Sequence, residues 1–250
     1  MTEASRRRWG YPLATLTASV LLWAVLVSVL DVPAYLLPHP VKVGRRLIGD
    51  TRLYADAAVA TTVKVLLGGA VGTLGGFLLG VAVGEIPPLW RAVSPYLIAA
   101  RVLPVVSVAP LLLIYIGTGF LTGVAFVVLM ALFPMAVSTA AGFRDTPAAA
   151  MDLAQSVDAP QYRVLLSIRL PYAVPAVVGG VQQSVTLSVV GAVLAEWFVA
   201  DAGLGYLILV GAENLRPDVV LAALSVVFLV GFAFYGAVAV LGSRLRRAVE

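Results

Sequence analysis

The stretch Met151–Pro171 reads MDLAQSVDAPQYRVLLSIRLP. Its first part, with Ala148–Val157, is rich in helix formers. Asp158-Ala159-Pro160-Gln161 then interrupts, and Tyr162–Leu170 resumes an apolar pattern. Asp158 and Gln161 have the spacing of a capping box, in which each side chain satisfies an orphan amide of the other. Pro160 falls in the first turn of the second part, where its missing donor costs nothing. Two short helices joined by a sharp turn are therefore expected, lying parallel to whatever surface the flanking sequence defines.

That surface is a membrane. The chain has 250 residues, 61% hydrophobic and only 12% charged, with mean hydropathy +1.00. A soluble domain carries about a quarter charged residues, so most of this surface must face lipid. Six stretches have the roughly 20 apolar residues a spanning helix needs: Tyr11–Leu30, Val59–Val83, Pro95–Ile116, Phe120–Ala141, Val174–Val199 and Val219–Leu241. Pro104 and Pro110 kink or break the third. The second carries Gly68, Gly69, Gly72, Gly75, Gly76 and Gly80, a spacing that lets another helix approach closely. The expected fold is all-α and polytopic, with six transmembrane helices and a short two-helix loop. An N-terminal anchor and interfacial segment would occupy residues 1–58. A core of five spans would occupy 59–250, with the loop at 142–172.

Charge sets the expected orientation. Arg6-Arg7-Arg8 before Tyr11–Leu30 resembles a signal peptide, but the apolar run is long enough to span and no small-residue cleavage site follows. With that anchor's N-terminus cytoplasmic, Arg91, Arg144, Arg163, Arg169, Arg244, Arg246 and Arg247 all fall inside, as does the C-terminus. The loop is then the longest cytoplasmic connection. Lys42, Arg45, Arg46 and Arg52 disagree, falling outside. Their segment, Pro40–Asp56, reads as an amphipathic helix with Val41, Leu47, Ile48 and Leu53 on its apolar side, at home at the interface. The net charge of +4 fits loops beside anionic headgroups; no basic run interleaved with aromatics points to nucleic acid. Cysteine is absent and His39 is the only histidine, which leaves no Cys- or His-based metal site.

The loop resembles the EAA loop of bacterial ABC-importer permeases, whose pattern is E-A-A, three residues, Gly, nine residues, I-x-L-P. Asp152-Leu153-Ala154 takes the first element, Asp158 the glycine position, and Ile168-Arg169-Leu170-Pro171 closes it. Aspartate replaces glutamate at 152 and glycine at 158; aspartate is among the few residues that tolerate positive φ. The resemblance extends over Leu36–Leu241. Leu37-Pro38-His39-Pro40, Arg101-Val102-Leu103-Pro104 with Ala109-Pro110-Leu111, Phe133-Pro134 and Gly142 are similar to segments of the nitrate, sulfonate and taurine permease group. Gly191-Ala192-Val193, Glu196-Trp197 and Gly203-Leu204-Gly205-Tyr206 resemble the branch importing the pyrimidine precursor of thiamine.

The resemblance implies that Asp152, Leu153, Ala154, Asp158, Pro160, Gln161, Ile168, Leu170 and Pro171 form a coupling element docked on a separate ABC ATPase. It implies two ATPase copies, a second permease copy as homodimer, and a periplasmic or lipid-anchored binding protein, in the bacterial inner membrane. Thiamine precursor, nitrate, taurine and alkanesulfonate are the substrates it brings forward.

Other residues leave alternatives. Glu196 is either a gate residue of the outer mouth or an interfacial glutamate solvated by headgroups. Gly203-Leu204-Gly205 is either a re-entrant turn or a plain surface turn. Gln182, Gln183 and Thr186 either line a pathway or bond between helices. Lys64 is expected to snorkel. Arg101 either pairs with Glu85 or Asp145 or acts in gating. No G-x-x-x-x-G-K-[ST] phosphate loop is present, so ATP chemistry must come from another subunit. Nor do the spans hold a Ser–His dyad or paired carboxylates for an intramembrane enzyme, and no cofactor is expected. A secondary transporter would need inverted repeats and midplane ion ligands, and it leaves the loop without a task.

Overall fold

The computed structural model describes residues 3–102, 105–199 and 202–249, and these are helices and their connections without a strand. In chain order the helices are α1 (Glu3–Val29), α2 (Pro40–Gly49), α3 (Thr51–Glu85), α4 (Pro87–Val102), a 3-10 turn (Val105–Val108) and α5 (Ala109–Ile116). There follow α6 (Phe120–Arg144), α7 (Ala148–Ser156), α8 (Gln161–Val164), a π turn (Leu165–Arg169), α9 (Leu170–Val199), α10 (Leu204–Glu213) and α11 (Pro217–Val249). Among the described residues four segments are long and apolar enough to cross a membrane: Thr51–Glu85, Phe120–Arg144, Gln161–Phe198 and Pro217–Arg244. The apolar parts of the first and third expected spans are shorter, at Ala14–Val29 and Val106–Ile116. Pro110 lies in the first turn of α5, where a helix accepts it, so it starts a new helix rather than bending an old one. Pro104 lies outside the described residues.

The centre is the packing of α3 on α6, with α9 against both. Glycine makes the first contact possible. A Cβ at Gly72 would lie 2.5 Å from the Val128 carbonyl oxygen, and one at Gly76 would fall on that of Leu132. A Cβ at Gly68 would lie 2.6 Å from Val127 Cβ, and one at Gly80 2.5 Å from Thr139 Cβ. The expected glycine face is therefore real, with α6 as its partner. Gly75 is off the seam, 3.8 Å from the Leu132 side chain. Val127, Ala131, Met135, Ala136 and Ala140 fill the buried side of α6.

The segment expected as one amphipathic helix over 40–56 divides at Asp50, whose φ of −116° and ψ of 34° end α2 and start α3. Its apolar face also differs. Val41, Ile48 and Leu53 are exposed. Val43 is the buried residue, clustered with Tyr54, Ala57, Leu204, Ile208 and Ala222, with Leu47 packed alongside. The inward side of α2 is thus chosen by α10 and α11, which sequence periodicity alone does not see.

Candidate functional site

Two constructions carry the residues singled out from sequence. The first is the loop. α7 ends with the Asp158 amide donating to Gln155 O (3.1 Å) and the Ala159 amide donating to Ala154 O (3.0 Å). Asp158 has φ 48°. This is the Schellman closure, with aspartate at the left-handed position where glycine is usual. The capping box is not formed: Pro160 is the N-cap of α8 and no side chain caps it. Asp158 is committed through its backbone to ending α7, which removes it from the next helix.

The second half of the loop is not a separate short helix either. α8 passes into α9 through the π turn, where the Leu170 amide reaches back to Leu165 O. Pro171 explains the widening. An α-helical turn would drive its ring against the Ser167 carbonyl, and a π turn opens that space. Arg169 lies in this turn. Its guanidinium donates to Glu85 Oε1 at 2.9 Å, tying the loop to the last residue of α3. Glu85 therefore takes its described cation from the loop; the Arg101 side chain lies outside the described residues. Arg144, at the end of α6, stacks over the Trp90 ring at 4.3 Å.

Around this tether the loop residues differ in burial. Ala154 is buried and, with Asp158, Gln161, Glu85 and Arg169, lines a groove of about 500 Å³ between α7 and the end of α3. Ile168, Leu170 and Pro171 are half-buried in the helical join. Asp152, Leu153, Pro160 and Gln161 are exposed. Leu153, Val157, Tyr162 and Leu166 leave large apolar surfaces uncovered, 58–68% exposed. A folded loop with its apolar residues turned outward has the form of a docking surface.

The second construction is a buried charge knot. Lys64 of α3 does not snorkel. Its Nζ donates to Glu196 Oε1 of α9 (2.9 Å) and to Ala202 O (3.0 Å), and both charged side chains are buried. Thr61 Oγ1 donates to Glu196 (2.9 Å) and accepts from the Leu204 amide (2.9 Å). The Gly205 amide donates to Glu196 Oε2 at 2.7 Å. Glu196 is thus no headgroup-solvated interfacial glutamate. Its carboxylate is the hub on which the turn before α10 is hung. Lys64 was missed from sequence because its partner lies 132 residues downstream. The clue available was a cation within an apolar span, which ordinarily faces a partner.

The turn is buried too, so the surface-turn alternative fails. Gly203 has φ 126°, and a Cβ there would fall on the Glu196 carboxylate; one at Gly205 would fall on Val193 O. α10, which follows, has ten residues, about 15 Å and too short to cross a bilayer. Of the polar residues on α9, Thr186 bonds back to Gln182 O of its own helix (2.9 Å). Gln182 is half-buried, while Gln183 and Thr186 are exposed. The bond between helices is made instead by Ser184, which donates to Ala131 O at 2.8 Å. Among the described residues no cluster suits a metal ion.

Comparison with known proteins agrees with this architecture. A probable ABC transporter permease of Haemophilus influenzae is 29% identical, covering 90% of this chain and 91% of that protein. The formylaminopyrimidine transport permease of Halalkalibacterium halodurans is 29% identical over 75% of each chain. The taurine transport permease of Escherichia coli is 26% identical over 92% of this chain and 89% of that one. An inward-facing structure of the MetNI methionine ABC transporter shares the fold at TM-score 0.61 and 19% identity, over 79% of this chain and 96% of that one. Residues 72–247 match the family described as "Binding-protein-dependent transport system inner membrane component". The chain belongs to that family and is an integral inner-membrane permease of an ABC transport system.

Proposed function

We propose that this chain is one half of the translocation pathway of an ATP-driven importer, with six spans and cytoplasmic termini. Its loop seats on an ABC ATPase. The observation that carries this reading is the outward apolar surface of Leu153, Val157, Tyr162 and Leu166 on a loop tethered to α3 by Arg169–Glu85. Ala154, held inward, and Asp158, through its backbone, shape the loop, and exposed apolar side chains such as Leu153 meet the ATPase. Two chains and two ATPases form the assembly, and a periplasmic or lipid-anchored binding protein delivers substrate. Gln183 and Thr186, exposed on α9 with Gly179 and Val190, lie on the seam where the second copy encloses the pathway. The knot at Glu196, Gly203 and Gly205 fixes the outer mouth. In domain terms, 1–58 anchors and 59–250 transports, with the loop at 142–172.

A small organic nutrient such as a thiamine pyrimidine precursor is the substrate proposed, a reading supported by the formylaminopyrimidine permease of similar sequence. Taurine, alkanesulfonate and nitrate are the competing cargoes, the first supported by the taurine permease. Co-purification of the cognate ATPase with wild type and with Leu153→Asp/Val157→Asp tests the docking. Loss of ATPase from the variant is expected, and equal recovery would sink the reading. Growth of a deletion strain on limiting precursor, taurine, sulfonate or nitrate separates the cargoes.

A further inference from the structure

α2 and the first two turns of α3, with Asp50 between them, carry four cations, Lys42, Arg45, Arg46 and Arg52, against two carboxylates, Asp50 and Asp56. They lie at the end of α3 opposite Glu85 and the loop. Arg46 is occupied inward, 3.0 Å from Asp50 and 4.0 Å from Asp218, the latter also 3.4 Å from Arg216. Arg52 reaches Asp56 only at 3.9 Å, with both side chains largely in the open. Lys42 and Arg45 are exposed and make no ion pair among the described residues. The same outward face interleaves them with exposed Val41, Ile48 and Leu53.

Depth decides what this face meets. The uncovered stripe of α3 runs through Val59, Val63, Leu67, Val71, Leu74 and Leu78. From Val59 to Leu78 is roughly 30 Å of helix, the thickness of the hydrocarbon core. Arg52 lies on that stripe about 10 Å beyond Val59, at headgroup level. α2 precedes it, so its basic residues are held where phosphates are, with apolar neighbours able to enter the acyl boundary.

We infer that the outward face of α2, with Lys42, Arg45 and Arg52, binds the headgroups of anionic phospholipids at the bilayer surface opposite the loop. Continuity with a lipid-facing stripe favours lipid over a soluble acidic partner, which would have no contact with α3 below Arg52. The inference does not depend on the transport reading.

The full chain is purified in detergent and incubated with phosphatidylglycerol or phosphatidylcholine, and retained lipid is counted by native mass spectrometry. Wild type is expected to retain phosphatidylglycerol in preference. Lys42→Gln/Arg45→Gln should lower that retention about fivefold for each cation removed, while Lys42→Arg/Arg45→Lys keeps it. Glycerol phosphate, lacking acyl chains, should not displace the lipid. An unchanged preference in the glutamine variant overturns the inference. So does unchanged lipid retention accompanied by loss of capture of an acidic extracytoplasmic protein from the native host.

Discussion

Lys64 and Glu196, on helices α3 and α9, meet at 2.9 Å with almost no exposed surface on either side chain. Lys64 lies on the buried side of α3, at a level along the helix between Val59 and Leu67 of the uncovered stripe, so the pair sits at hydrocarbon depth. A lone charge there is costly, whereas Lys64, Thr61 and the Gly205 amide all donate to the carboxylate, and the Leu204 amide in turn donates to Thr61. Removing one partner leaves the other buried without its counter-charge. Lys64→Met and Glu196→Gln are each expected to destabilise the chain by about 3–5 kcal/mol, with the double variant losing less than the sum. Thermal unfolding of the four proteins in one detergent measures the coupling. Additive losses would remove the pair's claim to hold the turn.

The glycine seam between α3 and α6 gives a sharper contrast within one helix. A methyl group at Gly76 meets the Leu132 carbonyl, which is backbone and has nowhere to move, while at Gly75 the nearest atom is a leucine methyl 3.8 Å away. Gly76→Ala is expected to cost about 1–3 kcal/mol through overpacking. Gly75→Ala should be neutral or slightly stabilising, since alanine is the better helix former. Equal unfolding temperatures for the two variants would show that the helices are not held at this separation.

These two cases mark what sequence could show. The seam was legible because its signal is local: glycines four apart on a helix can serve only one face. The knot was not, since Lys64 and Glu196 are distant in sequence and a lysine in an apolar run reads first as a snorkelling side chain. The loop was legible in spacing and illegible in mechanism. Asp158 and Gln161 satisfy the capping-box pattern, yet a residue ending one helix through a left-handed backbone cannot also start the next through its side chain. The aspartate's tolerance of positive φ was the correct signal. The apolar pattern of the loop ends at Leu170 and the next expected span starts at Val174, yet the π turn carries one helix through Pro171.

Asp158 and Leu215 make that backbone point testable. Both close helices from the left-handed region, at φ 48° and 52°. Leu215, after α10, repeats the same two bonds, its amide to Ala212 O at 3.2 Å and the Arg216 amide to Gly211 O at 2.8 Å. An L-residue there carries about 1–2 kcal/mol of strain that glycine does not. Asp158→Gly and Leu215→Gly should each raise stability by up to about 1 kcal/mol, with the larger gain at Leu215, which has no polar side chain to engage its own backbone. Asp158→Val should lower it. Chemical denaturation in mixed micelles reads all three, and a destabilised Leu215→Gly would contradict the assignment.

Arg169 to Glu85 links the loop to the end of α3, and its energy and its consequence need separating. Each side chain is about a quarter exposed, so Arg169→Gln is expected to cost only about 0.5–1 kcal/mol of global stability. Its local effect should be larger, because α7 has few other ties: Ala154 is its one fully buried residue. Amide hydrogen exchange across Ala148–Ala159 should accelerate in Arg169→Gln and in Glu85→Gln, while exchange in Val127–Ala140 of α6 stays unchanged. The exchanged pair Glu85→Arg/Arg169→Glu should recover part of the protection, since the two positions face each other across the same 2.9 Å contact. If exchange in α7 is the same in wild type and both single variants, the loop is held by its own helices alone, and motion of α3 has no direct path into it.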